Sequence, residues 1–193
     1  MKKILMPLLV AGLCAMPACA QAAAPYVSAS TGLGLLNNSS EDGFKNALSY
    51  NSGYFINGAA GLKASYARFE AEVGYHHNSI DTYFGNPVTT NARVSMWTFM
   101  VNGYLDYNIK DSDITPYLMA GMGLADVTFQ NDFSSDSDTV FAWQLGAGLG
   151  IKASDKVTFD IGYRYLSPAD VNVWGSTYSL NSSNILAGIR YNF

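Results

Sequence analysis

The chain has 193 residues, 49% of them hydrophobic and 13% aromatic, and a formal net charge of −4. Its cysteines, Cys14 and Cys19, both lie close to the N-terminus, which excludes a disulfide framework or a cysteine metal site in the rest of the chain. The acidic balance disfavours nucleic acid as a partner, because phosphate binding needs clustered Lys and Arg side chains.

The N-terminus has the pattern of an export signal. Lys2 and Lys3 precede an apolar run over 4–15, and small residues follow it. The run is too short to span a bilayer. We therefore interpret residues 1–22 as a secretory signal peptide, with cleavage anywhere from 20 to 24, and 23–193 as one domain.

Two alternatives stay open for this segment: an uncleaved signal anchor, and a lipoprotein attached through Cys19. Residues 16–18, Met-Pro-Ala, make a poor lipidation sequence. Cleavage would remove two of the 11 basic residues and leave 9 against 15 acidic ones, a net charge of −6.

Eight segments of the remaining chain alternate between apolar and polar side chains, the period of a β-strand with one apolar face. In chain order they are 26–36, 53–63, 67–77, 94–107, 116–128, 141–152, 157–166 and 183–193. The sidedness of the fourth is ambiguous, since both of its faces carry apolar side chains. Most segments reach the length of about 9–11 residues that a membrane-spanning strand needs.

The connections between these segments alternate in length. The long ones are polar and cover 37–52, 78–92, 130–139 and 167–182, whereas the shorter ones cover 63–66, 108–115 and 153–156. Bacterial outer-membrane barrels show this asymmetry, with short periplasmic turns and longer external loops. We therefore predict an all-β fold: an eight-stranded antiparallel up-and-down transmembrane β-barrel with four long external loops, in the outer membrane of a Gram-negative bacterium.

Aromatic residues on the apolar face are sorted by position along the strands. Those near the predicted external ends are Tyr75, Trp97, Phe141, Trp143, Tyr163 and Tyr165, and those near the periplasmic ends are Tyr107, Tyr191 and Phe193. Aliphatic residues such as Leu145 and Ile161 lie between them. Two aromatic girdles around an aliphatic band indicate contact with membrane lipid.

Charged residues lie on the opposite face of the strands. A Lys or Arg facing lipid at the bilayer midplane would cost roughly 2–4 kcal/mol, so these groups are expected in the lumen, where they need partners. We predict a lumen ion-pair network of Lys63, Arg68, Glu70, Glu72, Asp106, Lys152, Asp160, Arg164 and Arg190. An eight-stranded barrel is narrow enough to be filled by its own side chains, so we expect no pore, with a narrow water path as the alternative.

Four stretches, 26–34, 115–123, 159–165 and 187–193, resemble the opacity-protein-like, OmpX/OmpA-type outer-membrane β-barrel domain family. The resemblance covers the whole chain after the signal, although Met119 departs from the small residue expected at its position. It implies an adhesin, a surface antigen, a stress- or serum-resistance protein, or an envelope scaffold. The terminal aromatics Tyr191 and Phe193 resemble the signal read by the barrel-assembly machinery, which would then be a partner.

One short motif suggests an enzyme. His77 and Ser79 resemble the His-x-Ser of outer-membrane lipid A deacylases, and Asp81 could orient the histidine. However, Ile80 and Asp81 follow where those enzymes have Asn-Ala, and the motif is on the third strand instead of late in the chain. The alternative interpretation is that His76 packs inward and His77 lies at the membrane–water boundary.

The predicted loops carry two further sets of candidates. Asn131, Asp132, Asp136 and Asp138 have oxygen ligands but lack the spacing and glycine of a calcium loop, so we predict a solvated loop, with no metal and no cofactor. Exposed loop aromatics suit contact with a host or envelope ligand, or with lipopolysaccharide. They are Phe44, Tyr50, Tyr83, Phe84, Phe133, Trp174 and Tyr178.

Taken together, these patterns predict a non-enzymatic barrel whose external loops serve adhesion or envelope contact, or a structural scaffold. A lipid A deacylase-type hydrolase and a narrow channel are the alternatives. The partners expected on this interpretation are outer-membrane lipid, lipopolysaccharide and a ligand of the external loops.

Overall fold

A computed structural model of the chain describes residues 23–36, 39–41, 44–83, 86–87, 92–132, 134–173 and 175–193. Within these ranges it describes all side chains except those of 39–41, 44–50, 83, 86 and 87. The predicted signal peptide, residues 1–22, lies outside the described residues. No helix among the described residues is long and apolar enough to cross a bilayer.

The described chain is built from β-strands. The long ones are β1 (Ala24–Leu36), β4 (Gly53–Ala64), β5 (Ala67–Tyr83), β7 (Arg93–Asp106), β8 (Ile114–Gln130), β9 (Ser135–Lys152), β10 (Val157–Pro168) and β13 (Ser182–Asn192). The short ones are β2 (Ser39–Glu41), β3 (Phe44–Tyr50), β6 (Asn86–Pro87), β11 (Val171–Val173) and β12 (Ser176–Ser179). Each predicted segment lies within one long strand, apart from Tyr107 and Phe193, which lie just beyond the ends of β7 and β13.

The long strands form a closed antiparallel barrel of eight strands. Each pairs with its neighbour in the chain, and β13 pairs with β1 from Tyr26↔Asn192 to Leu36↔Ser182, which closes the cylinder. Closure leaves no free sheet edge within the bilayer, so every backbone group there can find a partner. The predicted up-and-down barrel is confirmed.

The pleat places apolar side chains outward and most charged ones inward. On β7, whose sidedness was ambiguous, Trp97 and Val101 are 50% and 56% exposed, whereas Met100 and Asn102 are 1% and 0% exposed. Both faces of this strand contact apolar surroundings at the external end, namely lipid outside and an apolar cluster inside. This explains why periodicity could not orient it.

The connections differ from prediction at the external end. The predicted polar loop over 130–139 is wrong in its bounds, because β8 and β9 stay paired from Ala125↔Val140 to Gln130↔Ser135 and leave only 131–134 between them. Similarly, β5 extends to Tyr83 by pairing with β3 and β7. These extensions rise above the hydrocarbon layer, where an apolar outward face is not required and the alternation fades.

A second sheet covers the external end. The hairpin β2–β3 pairs with β5 on one side, and its other edge pairs with the hairpin β11–β12 through Tyr178↔Glu41 and Ser179↔Ser40. The first and fourth external connections are therefore joined to each other, in the order β11-β12-β2-β3-β5. We call this the external sheet.

Candidate functional site

Three arginines pair with three carboxylates inside the periplasmic half of the barrel. Arg68 Nε donates to both oxygens of Asp106 at 3.0 and 2.9 Å. Arg164 Nη1 donates to both oxygens of Glu72 at 2.7 and 2.8 Å, across 92 residues of sequence. Arg190 Nη2 lies 3.3 Å from Asp160 Oδ1. The Arg164–Glu72 pair crosses the lumen between β10 and β5, whereas the other two pairs join strands that are neighbours in the barrel wall.

Glu70 is held by neutral donors. Its carboxylate accepts hydrogen bonds from the hydroxyl of Tyr26 at 2.9 Å, the hydroxyl of Tyr104 at 2.6 Å and the amide of Asn102 at 3.1 Å. Gln144 extends the chain of contacts by donating to Asn102 Oδ1 at 2.6 Å. Buried polar groups that are connected in this way avoid the cost of a missing hydrogen bond.

Aromatic rings and glycines complete the packing of this half. The Arg68 guanidinium lies 4.1 Å from the centroid of Tyr104 and 5.0 Å from that of Tyr117. A methyl group added at Gly148 would collide with the Tyr117 hydroxyl, so the glycine provides the space that the ring occupies. A cavity of about 30 Å³ lies against Glu70, Glu72 and Arg164, which is room for about two water molecules.

Two of the predicted network residues are not part of it. Lys152 is exposed at the periplasmic rim and pairs with Asp155 of the following turn at 2.8 Å. This hydrogen bond raises the pKa of the Lys152 ammonium and lowers the pKa of the Asp155 carboxyl. Lys63 is half-buried beside the turn at 65–66 and forms no ion pair with any described residue. Both positions are close enough to the barrel end for water to solvate them.

The external half of the lumen contains a large apolar cluster beside the buried polar side chains of His76, Asn78 and Ser182, and the sequence analysis missed this cluster. Buried side chains there form one cluster, contributed by barrel strands and by the external sheet: Val94, Met96, Met100, Ala125, Val127, Phe129, Ala142, Leu166, Val171, Val173, Tyr178 and Leu180. A cavity of about 10 Å³ among Met96, Val127 and Leu180 is the volume of roughly one water molecule. The apolar residues on both faces of 94–107 were the sequence feature that could have predicted this cluster.

The candidate catalytic residues are not assembled. His77, Ser79 and Asp81 alternate along the outward face of β5, where two-residue spacing separates successive side chains by about 7 Å. The Nδ1 atom of His77 has no hydrogen-bond partner among the described residues, and its ring packs 5.4 Å from that of Tyr54. His76 points inward and stacks on Phe55 at 5.3 Å, as the alternative interpretation expected.

Six of the seven predicted loop aromatics lie outside the described side chains. Phe84, Phe133 and Trp174 lie outside the described residues, and the side chains of Phe44, Tyr50 and Tyr83 are among those left out. The prediction for Tyr178 is wrong: it is 7% exposed, and its ring lies 5.1 Å from that of Phe129. Its neighbours on β11, Val171 and Val173, are buried with it, because the hairpin turns its apolar face toward the barrel mouth.

The hairpin β11–β12 is fastened to the barrel wall by backbone donors. Ala169 N donates to the carbonyl of Phe141 at 2.7 Å, and Asn172 N donates to the Asp138 carboxylate at 2.9 Å. Asp138 was considered above as a metal ligand. Here its carboxylate instead caps the edge of β11, which discourages pairing with other chains. Among the described residues, no group of three or more His, Cys, Asp or Glu is placed to hold a metal ion.

Comparison with known proteins supports the fold and its setting. Residues 6–193 match the family model described as outer membrane protein beta-barrel domain. The chain is 31% identical over 134 residues to the outer membrane protein PagN of Salmonella typhimurium, covering 57% of this chain and 56% of PagN. It is 26% identical over 133 residues to a 22 kDa outer membrane protein of Rhizobium leguminosarum, covering 63% and 61% of the two chains. The chain thus spans little more than half the length of PagN.

Solved structures share the fold at lower identity. Neisserial surface protein A superposes with a TM-score of 0.65 at 21% identity, covering 88% of this chain and 97% of that one. Ail of Yersinia pestis, solved in complex with the heparin analogue sucrose octasulfate, gives a TM-score of 0.53 at 16% identity, with 88% and 99% covered. The barrel, its lipid-facing girdles and the family match agree: the chain belongs to the outer membrane protein beta-barrel domain family and is an outer-membrane protein of a Gram-negative bacterium.

Proposed function

We propose that this protein is a non-enzymatic, pore-less barrel that uses its external end to bind a macromolecular partner outside the cell. The observation that carries the proposal is the external sheet. Two connections that could have been independent loops pair with each other and with β5. The apolar underside of the β11–β12 hairpin packs on Phe129 in the barrel mouth. A surface held in this way loses little conformational entropy when a partner binds.

The charge of the external half suggests the kind of partner. Among the residues whose side chains are described, the segments at this end contain six aspartates (Asp81, Asp126, Asp132, Asp136, Asp138 and Asp170) and one arginine, Arg93. A net charge of −5 favours a partner with basic groups and disfavours a sulfated glycan. Ail was solved with a heparin analogue, which is an anion. We therefore expect this chain to differ from Ail by selecting a ligand of positive charge.

Charge-neutralising variants test this proposal. Asp81, Asp132 and Asp170 are exposed, and their combined change to Asn should lower adhesion of cells carrying the barrel to a polylysine-coated surface or to host cells. The matched control is the combined change of Asp111, Asp113 and Asp155 to Asn, which removes the same charge from the periplasmic turns. Equal adhesion by both variants and the wild type would contradict the proposal, as would a failure of soluble polylysine to inhibit adhesion to host cells.

The alternatives have separate tests. The filled periplasmic half of the lumen supports a barrel that is silent in planar bilayers, and steady conductance steps would establish a channel. The dispersed His77, Ser79 and Asp81 support a protein that leaves lipid A intact. If Ser79→Ala changed the acylation of lipid A in the producing strain, the hydrolase interpretation would replace this one.

A further inference from the structure

The outward face of β5, β7, β8 and β9 changes character above the aromatic girdle. The cross-strand registers align side chains of these strands in rows. Two successive rows contain only imidazole, hydroxyl, amide and guanidinium groups: His77, Ser95, Thr128 and Ser137, then Ser79, Arg93, Gln130 and Ser135. We call these eight residues the outer ledge. It includes the His-x-Ser pair that suggested a hydrolase.

All members of the outer ledge are at least partly accessible. Ser79, Arg93, Ser135 and Ser137 are exposed and the others are half-buried. Arg93 donates from Nε and Nη2 to the side-chain oxygen of Gln130 at 3.2 and 2.8 Å. The contact orients the guanidinium over the sheet and leaves its Nη1 group out of the pair.

The row below the outer ledge places it at a defined depth. This row begins with Tyr75 and Trp97, whose ring centroids are 5.0 Å apart, and Trp97 is 50% exposed. It continues with Asp126 on β8 and Thr139 on β9. Such aromatics lie at the boundary between hydrocarbon and headgroups. Each row is about 7 Å higher along the strand than the one before, and the headgroup layer is roughly 5–7 Å thick on each side of the membrane. The lower row of the outer ledge therefore lies in the headgroup layer, and the upper row, which contains Arg93, lies just outside it.

The opposite side of the barrel has no equivalent among the described residues. There, β1 and β13 present Leu33, Leu35 and Ile185 outward at their external ends, and all are exposed. Ser183 lies at this height on β13, and its hydroxyl accepts a hydrogen bond from the Tyr163 hydroxyl at 3.0 Å. A polar surface on only one side, with no carboxylate in its rows, indicates a specific contact and not a general need for solubility.

We propose that the outer ledge binds the phosphorylated sugar headgroup of the glycolipid in the outer leaflet, with Arg93 contacting a phosphate. Hydroxyl and amide groups match the donors and acceptors of sugar rings. A guanidinium is suited to phosphate because it presents several N–H donors in one plane. The carboxylate nearest the ledge, Asp126, accepts a hydrogen bond from Thr139 at 3.1 Å, which reduces its repulsion of an anion. This inference does not depend on the proposed role of the external sheet.

Native mass spectrometry of the refolded barrel with purified deep-rough lipopolysaccharide tests the proposal. Arg93→Gln should weaken binding about tenfold, the effect of losing one charge-assisted hydrogen bond. The pair Ser95→Ala and Thr128→Ala should weaken it severalfold without changing charge. Lys110→Gln is the matched control, because it removes one exposed positive charge from a periplasmic turn, and it should bind like the wild type.

Three outcomes would overturn the proposal. These are wild-type binding by both ledge variants, an equal loss in Lys110→Gln, and displacement of the lipopolysaccharide by phosphatidylglycerol at the same concentration as by unlabelled lipopolysaccharide. The last would show an anionic-lipid surface that does not recognise sugar. Folding of each variant is checked first by its heat-modifiable migration in gels. If Arg93→Gln does not fold, the uncharged pair decides the question.

Discussion

The two halves of the lumen follow opposite rules, although the same strands build both. The periplasmic half contains paired charges and tyrosines, whereas the external half contains an apolar cluster. The inversion is visible within β8. Its inward side chains change from Tyr117 to Val127 and Phe129, while its outward ones change from Leu118 to Thr128.

This difference shows that the surroundings of the barrel wall, lipid or water, determine which side chains the wall can bury inside. In the lower half, lipid occupies the outer face, so apolar residues are placed there and polar ones are left for the lumen. In the upper half, water surrounds the extended hairpins, and the ordinary burial of apolar side chains holds them together. The periplasmic half of the barrel is therefore organised like a membrane protein, and the external half is organised like a water-soluble domain.

Removing one partner of a lumen ion pair should lower the free energy of unfolding more than any other change, and the loss should come from the periplasmic half. Glu72→Ala leaves Arg164 buried and unpaired, which we expect to cost about 3–5 kcal/mol in the free energy of unfolding. Urea unfolding of the barrel in lipid vesicles, followed by tryptophan fluorescence, measures this. The double variant Glu72→Leu, Arg164→Met should recover most of the loss, and an equal loss in single and double variants would contradict the pairing.

Truncating a side chain of the apolar cluster should destabilise mainly the external half, which would distinguish it further from the periplasmic half. Phe129→Ala removes a ring that is 2% exposed and packs on Tyr178, which we expect to cost roughly 3 kcal/mol in the upper half. The external hairpins should become sensitive to protease while the urea midpoint of the barrel changes little, because local unfolding does not require global unfolding. Phe129→Leu is the milder control. If Phe129→Ala lowers the urea midpoint as much as Glu72→Ala, the halves unfold as one unit.

The smallest effect is expected at the periplasmic rim. The pKa of Asp155 is lowered, so the stability that its charge contributes is lost only as the pH falls through that pKa. The pKa of Lys152 is raised, so the stability that its charge contributes is lost only as the pH rises through that pKa. Both are charged across the neutral range, but the pair is exposed and screened by solvent. Lys152→Gln should therefore leave the urea midpoint unchanged from pH 6 to pH 8. A measurable loss would mean that Lys152 belongs to the lumen network after all.

The sequence predicted the sidedness of the lower half because lipid allows little choice there. Arg68, Glu72 and Arg190 could be assigned to the lumen from alternation alone. The same reasoning failed above the membrane. It described 130–139 as a loop and Tyr178 as a surface contact, because Asn, Ser and Asp favour turns, and the solvated strands that contain them here lack the alternation that lipid imposes.

The alternation of side chains and the lengths of the segments were sufficient for the number of strands, their direction across the bilayer and the inward placement of the charges. These are local properties, read within a single strand and set by the insolubility of ions in hydrocarbon. Only the folded barrel decided that Arg164 pairs with Glu72, that the hairpins β2–β3 and β11–β12 join into one sheet, and that eight polar side chains align on one outer flank. Each of these depends on the register between strands distant in sequence, and register follows from the packing of the whole cylinder.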